Sequence, residues 1–347
     1  MDDRTQKQKY IARKSDLWQE RSTWMAQWRD ISTKLLPRNG RFMVTDRNKG
    51  DKRHNAIYDS TGTRALRVLA AGLMAGMTSP ARPWFRLQTG DRELMQFQPV
   101  KVWVNHITET MRDIFAKSNT YRSLHSMYEE LGAFGTGCTI LLPDYDTVVH
   151  HYPTTIGEYA AATDHRGEVN TLYREYEMPV GALVSQFGVG NVSATVKNLY
   201  DRHSLDKWVS VTHVVEPRIE RDQRSKLARD MPITSCYYET QASGTENKFL
   251  RVSGYKRFPA LVPRWSCTGG DISMKNAEFN GLPGGATYVD MTSTSGIKTA
   301  FDVRLDLSHL LLDIQDVRTR IDETFYKNLF LMLANDQRSG ITAREVA

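Results

Sequence analysis

Residues 159–176 read YAAATDHRGEVNTLYREY and carry the pattern of a β-hairpin. A short run of small and aromatic residues leads into Asp164-His165-Arg166-Gly167, and a second run extends from Val169 to Tyr176. Asp and Gly supply the backbone conformations that a tight reversal needs, whereas β-branched and aromatic residues favour strands. The segment predicts two antiparallel strands near the middle of the chain.

Further strand patterns surround this hairpin. Cys138–Leu142 follows a glycine-rich breaker and predicts a buried strand, in which Cys138 is a structural rather than a nucleophilic cysteine. Trp84–Leu87 predicts another strand, and three later runs, at 208–215, 236–239 and 249–252, continue a β-rich region up to Trp265.

Both ends of the chain instead show helical spacing. Residues 3–36 contain no Gly or Pro and predict one long amphipathic helix, in which an apolar residue recurs every seven positions at Tyr10, Leu17, Trp24 and Ile31. A second long helix is predicted from about Asp306 to Leu333. Its buried stripe would be Leu310, Ile314, Val317, Ile321 and Phe325, and its polar face His309, Asp313, Asp316 and Arg320.

Two features of the helices predict close packing. Trp18, Trp24 and Trp28 lie on the N-terminal helix and predict dense packing in the core or between subunits; stacking on nucleic-acid bases is the alternative. Gly72 and Gly76, on a helix from Gly62 to about Met77, predict that another backbone approaches closely.

The positive charge is concentrated in one segment. The 347 residues carry a net charge of +6, yet residues 1–54 hold 14 basic and 7 acidic side chains while the rest of the chain sums to −1. Arg47, Lys49, Lys52 and Arg53 lie in a loop of this segment and predict electrostatic contact with a polyanion such as DNA; a solvated arm is equally consistent with the pattern.

No motif of an enzyme is found in the sequence. It lacks a P-loop, an HExxH zinc motif, a GxSxG nucleophile elbow and an EF-hand, and its longest apolar run of ten residues is too short to span a membrane. We therefore predict no cofactor, no metal site, no catalytic residue and no membrane contact. The rival hypotheses are a Mg²⁺-dependent nuclease using Asp313 and Asp316, and an RNA-binding module using the tryptophans.

Ten short segments, in this order and spacing, resemble the portal, or head-to-tail connecting, proteins of short-tailed bacteriophages. They are LPR at 36–38, DST at 59–61, LAAGLM at 69–74, TSPARPWF at 78–85, IGEY at 156–159, GEVNT at 167–171, EMP at 177–179, VPRW at 262–265, FYKNLFLML at 325–333 and ITAREV at 341–346.

The resemblance implies an α+β protein of portal type, with long N-terminal and stem helices, an α/β wing and a small β-containing clip. It implies a homo-oligomeric ring, typically of twelve subunits, at the portal vertex of the virion, assembled in the host cytoplasm. Double-stranded viral DNA would pass through the ring during packaging and ejection. The expected protein partners are the terminase large subunit, tail adaptor proteins, and the major capsid and scaffolding proteins.

The resemblance also implies a division of the chain. Residues 1–58 would form the N-terminal helix and basic loop, 59–272 the wing, 273–300 part of the clip, and 301–334 the stem helix. Residues 335–347 would hold a tunnel loop facing DNA, with Asn335, Asp336, Gln337, Arg338 and Ser339, and the start of another helix. Family members continue with a stem helix after the Arg-Trp motif and with a longer C-terminus, so we expect segments to be absent near 272/273 and after 347.

Overall fold

The computed structural model describes residues 3–46, 50, 52–53, 56–91, 93–225, 227–240, 248–264, 307–328 and 330–331. Its helices are α1 (Asp3–Glu20), α2 (Ser22–Lys34), α3 (Thr61–Met77), α4 (Gln98–Lys117), α5 (Thr120–Phe134), α6 (Val180–Phe187), α7 (Ala194–Asp201) and α8 (Leu307–Thr324). Its strands are β1 (Cys138–Asp144), β2 (Val148–Thr154), β3 (Tyr159–Thr163), β4 (Val169–Pro179), β5 (Trp208–Pro217), β6 (Ile233–Glu239), β7 (Arg251–Tyr255) and β8 (Ala260–Leu261). The predicted mixed α+β class is confirmed.

The predicted hairpin forms one edge of a five-stranded antiparallel sheet, in the order β3-β4-β5-β6-β7. At its turn, the carboxylate of Asp164 accepts hydrogen bonds from the backbone N–H groups of Arg166 and Glu168, and Gly167 adopts a φ of +81°. The left-handed conformation explains the glycine at this position. The predicted hairpin turn is therefore confirmed, and Asp164 and Gly167 stabilise it in the way that the sequence indicated.

A second antiparallel sheet has the order β2-β1-β8. Cys138 and Ile140 of β1 are buried, as predicted for this strand, and belong to the largest apolar cluster. That cluster also contains Leu66 of α3, Phe134 of α5 and Leu172 of β4, so helices and both sheets share one core.

The two faces of the five-stranded sheet pack against different helices. Successive residues of a strand point to opposite faces, so alternate residues meet different partners. On one face, Tyr173, Val214 and Cys236 pack against Tyr10 of α1. On the other face, Val211 and Tyr237 pack against α6 and α7, through residues that include Leu183, Phe187 and Val196.

Three helix and strand predictions differ from the structure. The N-terminal helix is broken at Arg21, between α1 and α2. Residues 84–87 do not form a strand. In α8, Ile314 and Val317 of the predicted buried stripe are 39% and 45% exposed, so the described part of the chain does not bury them. Among the described residues, no helix combines the length and the apolar character needed to cross a bilayer.

Candidate assembly and nucleic-acid surfaces

Helix α1 meets the sheet through basic side chains as well as apolar ones. Lys7, Lys14 and Arg21, spaced seven residues apart, lie on the face that contacts the sheet. The ammonium group of Lys14 lies 2.7 Å from the Glu175 carboxylate and donates to Thr212 Oγ1 at 3.2 Å. Burial lowers the pKa of Lys14, although the Glu175 carboxylate opposes that shift. These charges stabilise the fold and are withdrawn from any external partner.

Arg21 interrupts the N-terminal helix through a tertiary contact. Its guanidinium donates to the carbonyl oxygens of Tyr159 and Gly157, the latter at 2.7 Å, and its Cζ lies 4.1 Å from the ring centroid of Trp18. Burial lowers the pKa of Arg21 to about 10. Neither Pro nor Gly occupies the break, so no local sequence signal marks it.

The loop after α2 is fixed to the β2–β3 turn. Arg41 N donates to Ile156 O at 2.8 Å, and the Arg41 guanidinium pairs with the Glu158 carboxylate at 2.5 Å. A Cβ atom on Gly157, whose φ is +96°, would lie 2.0 Å from Arg41 O. Only glycine allows this approach of the two backbones.

A buried carboxyl group supports the same junction from α5. Glu130 accepts hydrogen bonds from Thr155 Oγ1 at 2.7 Å and from Ile156 N at 3.1 Å. Burial raises its pKa to about 7, against the effect of these two donors. The junction holds α5, the β2–β3 turn and the loop after α2 together.

The predicted basic contact lies only partly within the described residues. Arg53 is half-buried and pairs with Asp46 at 2.5 Å, whereas Lys52 is exposed. Arg47 and Lys49 lie outside the described residues. Part of the excess charge at 38–54 is thus neutralised within the loop.

The three tryptophans have different surroundings. Trp18 is half-buried, between Arg21 and the Lys14 ammonium, which lies 5.4 Å from its ring centroid. Trp24 is 56% exposed and stacks on Trp28 with centroids 6.2 Å apart, and Trp28 packs against the main core. The indole of Trp24 is therefore an uncovered apolar surface of the single chain.

The C-terminal segment that includes α8 contacts α3 and the residues just before it at two points. Arg318 Nε lies 2.6 Å from Asp59 Oδ2, just before α3 begins, and Phe330 lies against Gly72. The space beside Gly72 is therefore filled by an aromatic ring rather than by the predicted backbone. A methyl group added at Gly76 would have no described atom within 4 Å, so Gly76 plays no such part here.

The predicted polar face of the stem helix is described only in part. Asp316 and Arg320 are exposed and form an ion pair one turn apart. The side chains of His309 and Asp313, and all of the predicted tunnel loop at 335–339, lie outside the described residues, as does the predicted clip at 273–300. A search of the described side chains found no group of three metal-ligating residues.

Three matches to known proteins cover almost the entire chain. The family model for the bacteriophage head to tail connecting protein matches residues 7–273 and 270–347. The chain is 50% identical to the probable portal protein of Bordetella phage BPP-1, over 100% of this chain and 69% of that protein. It is 36% identical to the portal protein of Salmonella phage epsilon15, over 95% of this chain and 66% of that protein.

Proposed function

The chain belongs to the bacteriophage head-to-tail connecting protein family and is a structural portal protein, and we propose that it forms a ring through which viral DNA enters and leaves the capsid. The family match over both parts of the chain carries this proposal. The relatives are named as portal proteins and give no support to the nuclease or RNA-binding alternatives.

Uncovered apolar side chains support assembly into a ring. Trp24 on α2, Trp103 on α4, and Ile314 and Val317 on α8 are all exposed in the single chain. A subunit that closes a ring needs apolar faces to bury against its neighbours. We propose that Trp18, Trp24 and Trp28 lie near such a face, with twelve subunits in the ring.

The ring is tested by negative-stain electron microscopy of the purified chain together with its mass in solution. We expect rings with a central hole and a mass of about twelve subunits. Monomers or small dimers at assembly concentrations would contradict the proposal.

We propose that the DNA contacts are electrostatic and not specific for base sequence. His309, Asp313, Asp316 and Arg320 would lie on the channel side of the stem, residues 335–339 would form the tunnel loop, and the basic loop would face DNA or capsid protein. Strong contacts would hold DNA that has to move through a channel. Electrostatic contacts with the phosphate backbone are independent of base sequence and weaken with salt.

Charge reversal tests the basic loop. Replacing Arg47, Lys49, Lys52 and Arg53 with Glu should reduce DNA packaging or incorporation into capsids. A matched reversal of four exposed basic residues elsewhere, Arg202, Lys207, Arg221 and Arg224, is the control. Equal packaging by both variants would exclude an electrostatic role for the loop.

We further propose that the chain works at the portal vertex with the terminase large subunit, tail adaptor proteins, and the capsid and scaffolding proteins. Co-purification of each partner with assembled rings tests these contacts one at a time. A protein that binds the denatured chain as well as it binds rings would not count as a specific partner.

We also propose that a segment present in the relatives is absent near 272/273. The family model matches the chain in two pieces that meet at 270–273, and the alignment with the Bordetella phage protein runs over 387 positions for a chain of 347 residues. Peptide mapping of the protein made in infected cells tests this, because a peptide that joins Ile272 directly to Ser273 would contradict the proposal.

A further inference from the structure

Strand β2 forms the outer edge of the three-stranded sheet. Among the described strands it pairs with β1 alone, so its other side lies at the edge. Its sequence, VVHHYPT at 148–154, is rich in β-branched and aromatic residues and has no Asp, Glu, Lys or Arg. A strand of this kind presents unpaired backbone groups to a strand of another molecule. The β2 edge is therefore a place where two copies of the chain could pair.

The side chain of Asn119 occupies the middle of this edge. Its Oδ1 accepts a hydrogen bond from His151 N at 2.8 Å, and its Nδ2 donates to His151 O at 2.8 Å. A side-chain amide that bonds both backbone groups of one residue takes the place of a residue on a paired strand. Both outward backbone groups of His151 are thus bonded within the chain.

The position of Asn119 in α5 makes this contact unusual. Asn119 is the N-cap residue of α5, where an Asn side chain commonly accepts a hydrogen bond from the first turn, yet here it makes no such bond. In the two-residue corner between α4 and α5, Ser118 Oγ instead accepts from Thr120 N at 3.3 Å. The corner presents the Asn119 amide to β2 rather than to its own helix.

The outward positions on either side of His151 are each half closed. Backbone groups of residues two apart in a strand point to the same side, so those of Val149 and Pro153 face outward together with those of His151. The Thr147 hydroxyl can donate to Val149 O, which lies 2.9 Å away, and Pro153 has no N–H. No two neighbouring outward positions therefore offer the donors and acceptors that an added strand needs.

We propose that Asn119 guards the β2 edge against pairing with β2 of a second copy of the chain. Two copies of this strand carry no charges that would repel each other, and they could meet antiparallel about a two-fold axis at His151. Val149 of each copy would then lie opposite Pro153 of the other. By closing this edge, Asn119 leaves self-association to other faces of the chain. The guard does not depend on the proposed ring or channel.

Asn119→Ala tests the guard because it removes both hydrogen bonds to His151. In sedimentation velocity, we expect species larger than those of the wild type, with self-association at least about tenfold stronger. Amide hydrogen exchange at His151 should be faster than in the wild type when the variant is dilute, and slower again in the larger species. Asn105→Ala, at an exposed asparagine of α4, is the matched control and should sediment as the wild type does.

Asn119→Asp separates loss of the guard from loss of stability. A carboxylate at this position can still accept from His151 N but cannot donate to His151 O, and it places a negative charge at the edge, which disfavours strand addition. We expect Asn119→Asp to sediment as the wild type does, even where its melting temperature falls as far as that of Asn119→Ala. Equal self-association of the two variants would show that association follows destabilisation, and would overturn the proposal.

Two further results would contradict the guard. One is a folded Asn119→Ala, checked by circular dichroism, that sediments as the wild type does at every concentration. The other is a larger species in which the His151 amide exchanges as fast as in the dilute variant, because the copies would then associate elsewhere. If Asn119→Ala does not fold, Asn119→Ser replaces it, since the serine side chain is too short to bond both backbone groups of His151.

Discussion

The phenyl ring of Phe330 occupies the position that a side chain at residue 72 would need. A Cβ atom on Gly72 would lie 2.1 Å from Phe330 Cδ1, well inside van der Waals contact. The glycine on α3 and the aromatic residue after α8 are thus a matched pair, separated by more than 250 residues in sequence.

Gly72→Ala should loosen the packing of Phe330 on α3. Alanine favours a helix over glycine by up to ~1 kcal/mol, but displacing the ring should cost about 1–3 kcal/mol. We expect a net loss in the free energy of unfolding, measured by urea denaturation. Gly76→Ala on the same helix meets no described atom within 4 Å and should be neutral or stabilising. Equal stability of the two variants would contradict this packing.

Lys14→Met should destabilise the fold far more than Arg13→Met. The Lys14–Glu175 pair is 13% and 10% exposed, whereas Arg13, which pairs with Glu216 at 3.1 Å, is half exposed. Removing one partner of a buried pair costs about 3–5 kcal/mol, and an exposed pair contributes ~0–1 kcal/mol. Chemical denaturation of the two neighbouring variants measures the difference. Comparable losses would show that the Lys14 pair is not buried in solution.

Glu130 should make the chain less stable as the pH rises. Its pKa is about 7 in the folded chain and near 4.5 when unfolded, so the folded state binds the proton more tightly. This contribution is fully present below pH 4.5 and is lost as the pH rises through about 7, with an upper limit of ~3 kcal/mol.

Glu130→Gln isolates that contribution from those of other groups. The difference in unfolding free energy between wild type and variant should change between pH 4.5 and 8 in urea denaturation. A constant difference over this range would show that Glu130 is ionised normally in the folded chain.

Trp24→Ala and Trp28→Ala should have separable effects. Trp24 is 56% exposed, so its loss should change the stability of the single chain by about 1 kcal/mol or less while weakening self-association. Trp28 contacts the main core, and its loss should cost about 3–5 kcal/mol. Sedimentation velocity and denaturation measure the two quantities. If Trp24→Ala assembled as well as the wild type, Trp24 would not be part of the subunit interface.

Elements that are determined by neighbouring residues in the sequence could be predicted from the sequence alone. The hairpin at 159–176 was readable because Asp164 and Gly167 fix the turn and period-two residues fix the strands. The break at Arg21 was not readable, because it follows from carbonyl groups of residues 157 and 159 on a distant turn.

The charges of the N-terminal segment show the same limit. Residues 1–54 hold the excess positive charge of the chain, yet the structure places three of their basic side chains, Lys7, Lys14 and Arg21, against the sheet. Glu175, the partner of Lys14, lies 161 residues further along the chain, and no spacing rule connects two such positions.

The family could be inferred from ten short segments because their order along the chain is itself information. Arg47, Lys49, the stem side chains up to Asp313 and residues 335–339 lie outside the described residues. For these residues the assigned roles remain predictions.

The contacts of Arg318 and Phe330 beside α3 also link the C-terminal segment to the main core. The exposed Arg318–Asp59 ion pair lies just before the start of α3, and the Phe330 ring, after the end of α8, is seated at Gly72 within α3. A pull or push along α8 is therefore transmitted to α3, and from there through Leu66 and Leu69 into the main core.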